Sequence, residues 1–162
     1  MFCWKWIYLR VRALVWAALF MVAAPAAADT LPEEFLGKFR GSVTGSVGEV
    51  KGDFNMVSST RRDGFTVAWS PNNSAGFEAS DQKNVFHARS RGRLLEGVPA
   101  FWARLADGKL LVYSIQIDSH GGYDIYTFIY IPAADGLDMT VRHLRSGSEP
   151  LEASARLKRY DR

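Results

Sequence analysis

The side chains suited to proton transfer, metal binding or nucleophilic attack are few and scattered along this 162-residue chain. Its three histidines, His87, His120 and His143, stand 33 and 23 positions apart. No His-x-His or His-Glu-x-x-His spacing places two imidazoles on one face, so no local metal chelate is legible. There is no Gly-x-Ser-x-Gly elbow to raise a serine nucleophile and no glycine loop spaced to cradle phosphate. Gly41, Gly45 and Gly48 read instead as relief for tightly curved strands and a turn. His120 sits in a Gly-Gly turn and reads as solvated. His143, in step with Leu137, Met139 and Val141, reads as a satisfied core or rim histidine. The residue types thus predict no catalytic residue, no metal and no cofactor.

Aromatic chemistry is better supplied. Tyr123 to Ile131 is apolar on both faces, with Ile125, Ile129 and Ile131 on one and Tyr126, Phe128 and Tyr130 on the other. Leu110 to Asp118 behaves similarly, with Leu110 and Val112 set against Leu111, Tyr113, Ile115 and Ile117. A strand with one solvated face needs only its inner face apolar, so something must cover the second. A loop or short helix within Arg89 to Pro99 is one cover, and a self-associating or partner-binding patch is another. The third reading is a cavity, where phenol and indole groups combine apolar walls with a few polar contacts. Its expected lining is Trp69, Trp102, Tyr113, Tyr126, Phe128 and Tyr130, with Arg104 sharing the Trp102 face. An internal Arg104 would require an acidic partner or an anionic ligand group. Arg89, Arg91 and Arg93 cluster nearby, either as a solvated loop or as an anionic headgroup site.

The formal charge of +3 misleads. Three of the 20 basic residues and none of the 17 acidic ones fall in the first 28 positions, so residues 29–162 balance at 17 of each. That balance removes the main electrostatic argument for a nucleic-acid partner. Residues 1–28 read as a secretory signal: Lys5, Arg10 and Arg12, an apolar stretch from Ala13 to Ala24, then Pro25-Ala26-Ala27-Ala28 before Asp29. From Ala13 to Ala28 the chain is shorter than the ~20 apolar residues of a spanning helix, so no stable membrane span is expected. The one cysteine, Cys3, lies inside this leader, leaving the mature chain without disulfide or thiol. Export without cysteine predicts a periplasmic or secreted protein.

The elements that must position these rings are strands. The expected first strand, Gly37 to Ser46, puts Phe39, Gly41 and Val43 on one face; Glu49 to Ser59 groups Val50, Phe54 and Met56. Arg62-Asp63-Gly64 turns into Phe65 to Trp69, and Pro71 to Gly76 reads as a loop. Phe77 to Ser80 and Asn84 to Ala88 are two short strands or one bent one, and Arg93 to Glu96 fits a single helical turn. Strands follow at Ala100 to Leu105, Leu110 to Asp118, Tyr123 to Ile131 (stopped by Pro132), Leu137 to Leu144 and Leu151 to Tyr160. Three Asp-Gly turns mark hairpins. Eight to ten sequential strands joined this way predict an all-β, closed, antiparallel up-and-down β-barrel as one domain over residues 29–162, with a β-sandwich as the alternative.

Both ends of this barrel resemble a known family. Pro32-Glu33-Glu34-Phe35-Leu36-Gly37-Lys38-Phe39 resembles the entry to lipocalins and their calycin relatives, with Phe39 at the tryptophan of Gly-x-Trp. Gly122-Tyr123-Asp124-Ile125-Tyr126 is similar to the lipocalin Thr-Asp-Tyr-x-x-Tyr element, keeping the tyrosines and losing Thr-Asp. The resemblance implies a calycin-like barrel in which a basic side chain of the last strand covers the first-strand aromatic. Arg159 or Arg156 is placed for this, and alternation with Leu151, Ala153, Ala155 and Leu157 favours Arg159. The function expected is non-enzymatic binding of a small hydrophobic or amphipathic molecule. The alternative is a protein-interaction module, an inhibitor or envelope-assembly factor, whose barrel is filled and which binds a protein partner or itself.

Overall fold

The turn Asp107-Gly108 has both central residues at positive φ, 52° and 69°, the sense of twist that lets two strands pair directly across two residues. It joins the strands Ala100–Ala106 and Lys109–Ile117. The computed structural model describes residues 30–48, 50–70, 73–89 and 92–160. The expected leader (1–28), Cys3, Pro71-Asn72 and Arg91 lie outside the described residues.

Ten strands follow in chain order: β1 (Gly37–Val47), β2 (Val50–Arg61), β3 (Gly64–Ser70), β4 (Asn73–Ala79), β5 (Val85–Ala88), β6 (Ala100–Ala106), β7 (Lys109–Ile117), β8 (Tyr123–Ala133), β9 (Gly136–Arg145) and β10 (Leu151–Arg159). Each pairs antiparallel with the next, and β10 returns to β1, from Phe39–Arg159 to Thr44–Ser154. The protein is an all-β, closed, up-and-down ten-stranded barrel. The single closed sheet replaces the sandwich alternative.

Two local expectations are corrected, and one open alternative is decided. The loop expected through Gly76 is already strand from Asn73, because Asn73 to Gly76 pair with β3. The middle segment is two strands, β4 and β5, separated by a turn at 81–84. Pro132 does not stop β8, which runs on to Ala133. β7 pairs with β8 only up to Tyr130, so beyond it β8 has β9 on one side and an open edge on the other, where a missing N–H is tolerated.

Alternation decides what fills the bore. Phe39, Met56, Phe65, Phe77, Phe86, Leu110, Tyr130, Leu137, Met139 and Leu157 are fully or almost fully buried. Phe65 stacks on Phe77 and meets Phe86 edge-on, both at 4.9 Å between centroids. Each such side chain contributes about 1.5–3 kcal/mol by leaving water. Closure of β1 on β10 depends on Gly41, where a Cβ would strike the Arg156 carbonyl.

One end is plugged. A 3-10 turn, Glu33–Phe35, buries Phe35, whose carbonyl accepts from the Ser58 hydroxyl. Arg159 lies with its guanidinium 5.0 Å from the Phe39 ring centroid and donates to the carbonyls of Glu33 (3.3 Å) and Glu34 (3.0 Å). Arg156 instead points outward to Asp135 and Asp138.

The wall is uneven. β8 and β9 pair from Asp124–Arg145 to Ala133–Gly136, whereas β4 and β5 share only Phe77–Ala88, Glu78–His87 and Ala79–Phe86. Above Ala88 the described residues 92–99 border the gap. Their 3-10 turn, Leu94–Glu96, is tethered where Gln116 Nε2 donates to the Gly97 carbonyl, 3.0 Å away. That places them at the unplugged end of the barrel.

Candidate functional site

The unplugged end is hollow. A cavity of about 810 Å³ opens there. Its walls come from the mouth ends of β1–β2, β3–β4 and β6–β9, and its apolar surface is Val50, Phe54, Trp69, Pro99, Phe101, Tyr126 and Phe128. Polar groups ring it: Lys51, Asp53, Ser114, Gln116, Asp124 and Arg145 among them.

The floor is set by one hydrogen bond. Trp69 Nε1–H donates to Tyr130 Oη at 2.8 Å. Tyr130 is fully buried, and that burial pushes its phenol well above the ordinary value of 10.0, the Trp69 donor only partly opposing. Below this bond the bore is packed; above it Trp69 of β3 reaches across to the rings of the facing strands β6 and β8.

Those rings form a continuous band. Phe101 meets Trp69 at 6.2 Å between centroids, Trp69 meets Phe128 at 5.5 Å, Phe128 meets Tyr126 at 6.5 Å, and Tyr126 meets His143 at 4.2 Å. No step in this band departs from parallel by more than 30°. The band exists because β8 alternates Asp124, Tyr126, Phe128 and Tyr130 inward, while β9 brings His143 opposite Tyr126.

At the rim, beside the end of the band, lies a polar brace. Asp124 accepts from Arg145 through Nε at 2.8 Å and Nη2 at 3.3 Å. Its Oδ1 also lies 2.6 Å from His143 Nε2. The Arg145 hydrogen bonds, with those of His143, hold the Asp124 carboxyl below its usual range, against a smaller opposing effect of burial. An ionised carboxylate only accepts, so His143 Nε2 carries the hydrogen. This is a histidine within reach of a carboxylate on the cavity wall. His143 itself is 5% exposed and does not line the cavity, and both Asp124 oxygens are engaged. The brace therefore holds His143 against the Tyr126 ring at the rim of the cavity.

The structure divides the expected lining. Trp69, Tyr126 and Phe128 line the cavity, and Tyr130 lies beneath it as the partner of Trp69. Trp102, Arg104 and Tyr113 lie on the outer wall, opposite in alternation to the fully buried Ala103 and Val112. The reason is space: Phe86, paired beside Ala103, already occupies the bore at that level, so the small side chain turns inward. Trp102 and Tyr113 stack on each other at 5.0 Å, and Arg104 is exposed. Of the basic cluster, Arg89 pairs with Glu78 and Arg93 with Glu96.

Sequence reasoning missed Phe54, Phe101, Asp124 and Arg145. Asp124 and Arg145 were legible by extending the Tyr126 and His143 alternation one step toward the mouth. Phe101 was hidden by the larger Trp102 beside it.

Among the described residues no group of three or more His, Cys, Asp or Glu could hold a metal ion, and no helix is long and apolar enough to cross a membrane. Comparison of the chain with protein-family models, curated proteins and solved structures gave no match.

Proposed function

We propose that this chain is an exported, calycin-like, non-enzymatic binding protein that holds a small hydrophobic or amphipathic molecule in the mouth of its barrel. The observation that carries this reading is the contrast between the two halves of the bore. One half is filled by its own side chains and plugged by Arg159, while the other keeps an 810 Å³ hollow with an aromatic wall and a polar rim. Burial of a guest's apolar surface supplies roughly 25 cal/mol per Å² before the costs of association. The polar rim, which carries Lys51 and Arg145 against Asp53 and Asp124, suits a guest whose polar end faces water.

The test is native mass spectrometry on protein purified from its own compartment. A retained small molecule, displaced by excess hydrophobic competitor, is the expected result. Protein that elutes empty and takes up no hydrophobic compound at micromolar concentration overturns the reading.

A second reading rests on the outer wall. Trp102, Tyr113, Leu111, Ile115, Ile125 and Ile129 form a contiguous, half-buried apolar stripe across β6, β7 and β8. A polypeptide co-purifying in stoichiometric amount, lost on Trp102→Glu, favours an interaction module over a carrier.

A further inference from the structure

The composition of the cavity wall narrows the guest. Five of its seven apolar lining residues are aromatic, and no Leu, Ile or Met is among the described lining residues. Flexible aliphatic side chains adapt to a bending alkyl chain; ring faces do not. Four of these five rings, Phe101, Trp69, Phe128 and Tyr126, belong to the near-parallel band, and each is only half-buried, so part of its surface is open to the cavity. At one end of the band Asp124 holds His143 against Tyr126, and beneath it the Trp69–Tyr130 bond ties β3 to β8 across the bore.

We infer that the guest's apolar part is a flat, conjugated ring system that extends the band by stacking, and is not an alkyl chain. This rests on the proposed binding function and specifies its ligand class. An alkyl chain gains only buried area from such a wall. A flat ring gains the same area plus, for each aromatic neighbour, a geometry-dependent advantage of roughly two- to twelvefold in affinity. The guest's polar substituent then lies at the rim, within the zone of Lys51, Ser114 and Gln116.

The experiment uses two carboxylates that differ in this respect, 1-pyrenebutyrate and palmitate, titrated calorimetrically below their aggregation limits. Pyrenebutyrate binds about tenfold or more tightly than palmitate if two or more rings stack. Phe128→Leu and, separately, Phe101→Leu keep an apolar side chain and remove a ring. Each weakens pyrenebutyrate about three- to tenfold and leaves palmitate within about twofold. Palmitate binding as tightly as pyrenebutyrate, or either variant weakening both probes equally, overturns the ring preference while leaving the cavity as a binding site. If neither probe binds the unaltered protein, the binding function itself falls, and the ring preference with it. Retained strand circular dichroism in the variants separates loss of stacking from loss of fold.

Discussion

Trp69 and Tyr130, 61 positions apart in sequence, share a hydrogen bond of 2.8 Å at the level where the barrel changes from packed to hollow. The two partners are not equivalent. Tyr130 is fully buried, whereas Trp69 borders the cavity. Trp69→Phe leaves the hydroxyl without its donor in a site closed to water, a cost of about 1–3 kcal/mol. Tyr130→Phe leaves an indole N–H that water in the cavity can reach, and costs about 1 kcal/mol or less. Urea midpoints of the two variants check this order.

The same tyrosine makes the fold sensitive to alkali. Its phenol is held above the ordinary value of 10.0 in the folded state, so the folded protein keeps a proton that the unfolded chain releases. The stabilisation is complete below about pH 10 and is lost as pH rises toward the folded value. Stability measured between about pH 9 and pH 11 falls for the natural sequence and falls less for Tyr130→Phe.

Acid acts through Asp124, with the opposite sign. Its folded carboxyl lies below 3.8, chiefly through Arg145, so its contribution is present above that value and disappears as pH falls through the folded one. Asp124→Asn is less stable than the natural sequence near neutrality and loses less on acidification below about pH 4. Asp135, held low first by its hydrogen bond with Arg156, contributes to the same acid limb. Denaturant midpoints for Asp124→Asn and Asp135→Asn across that range separate the two.

Only two tryptophans follow residue 28, and they stand on opposite sides of the wall: Trp69 beside the cavity, Trp102 outside. A guest entering the mouth alters Trp69 emission. Titration with a non-fluorescent hydrophobic compound therefore changes the signal of Trp102→Phe and leaves that of Trp69→Phe unchanged. The opposite pattern places the guest on the outer stripe.

The plug predicts a graded response. Arg159→Ala removes both the contact with Phe39 and the two carbonyl hydrogen bonds, costing about 1–3 kcal/mol. Arg159→Lys keeps the charge and loses the planar fork, so it recovers only part of that loss. Thermal unfolding of the two variants orders them.

Much of this frame is legible in the chain itself. Phe39-Gly41-Val43 and Phe65-Val67-Trp69 alternate with polar neighbours, so their faces follow from one-sided hydrophobicity, and the Asp107-Gly108 turn announces its hairpin. The Arg159 placement follows from alternation on β10. The cavity side of β6 and β7 does not follow. Both faces there are apolar, and preferring the larger rings sends Trp102 and Tyr113 inward. What decides the face is distant volume, the Phe86 ring beside Ala103, which no local pattern along β6 encodes. The brace of Asp124, His143 and Arg145 is similarly non-local, since its members meet only after β8 and β9 pair.

Between Ala88 and the mouth, the backbone ladder does not tie β4 to β5 among the described residues. β5 likewise meets β6 only from Val85–Arg104 to His87–Trp102, so eight of the ten strand junctions lie away from that stretch and hold the cylinder together. Pro99, at the end of the connection that follows, lines the cavity together with Phe101. Changes of length are therefore expected to be tolerated in this connection before they are tolerated in the strands, altering the mouth while the packed half keeps its frame.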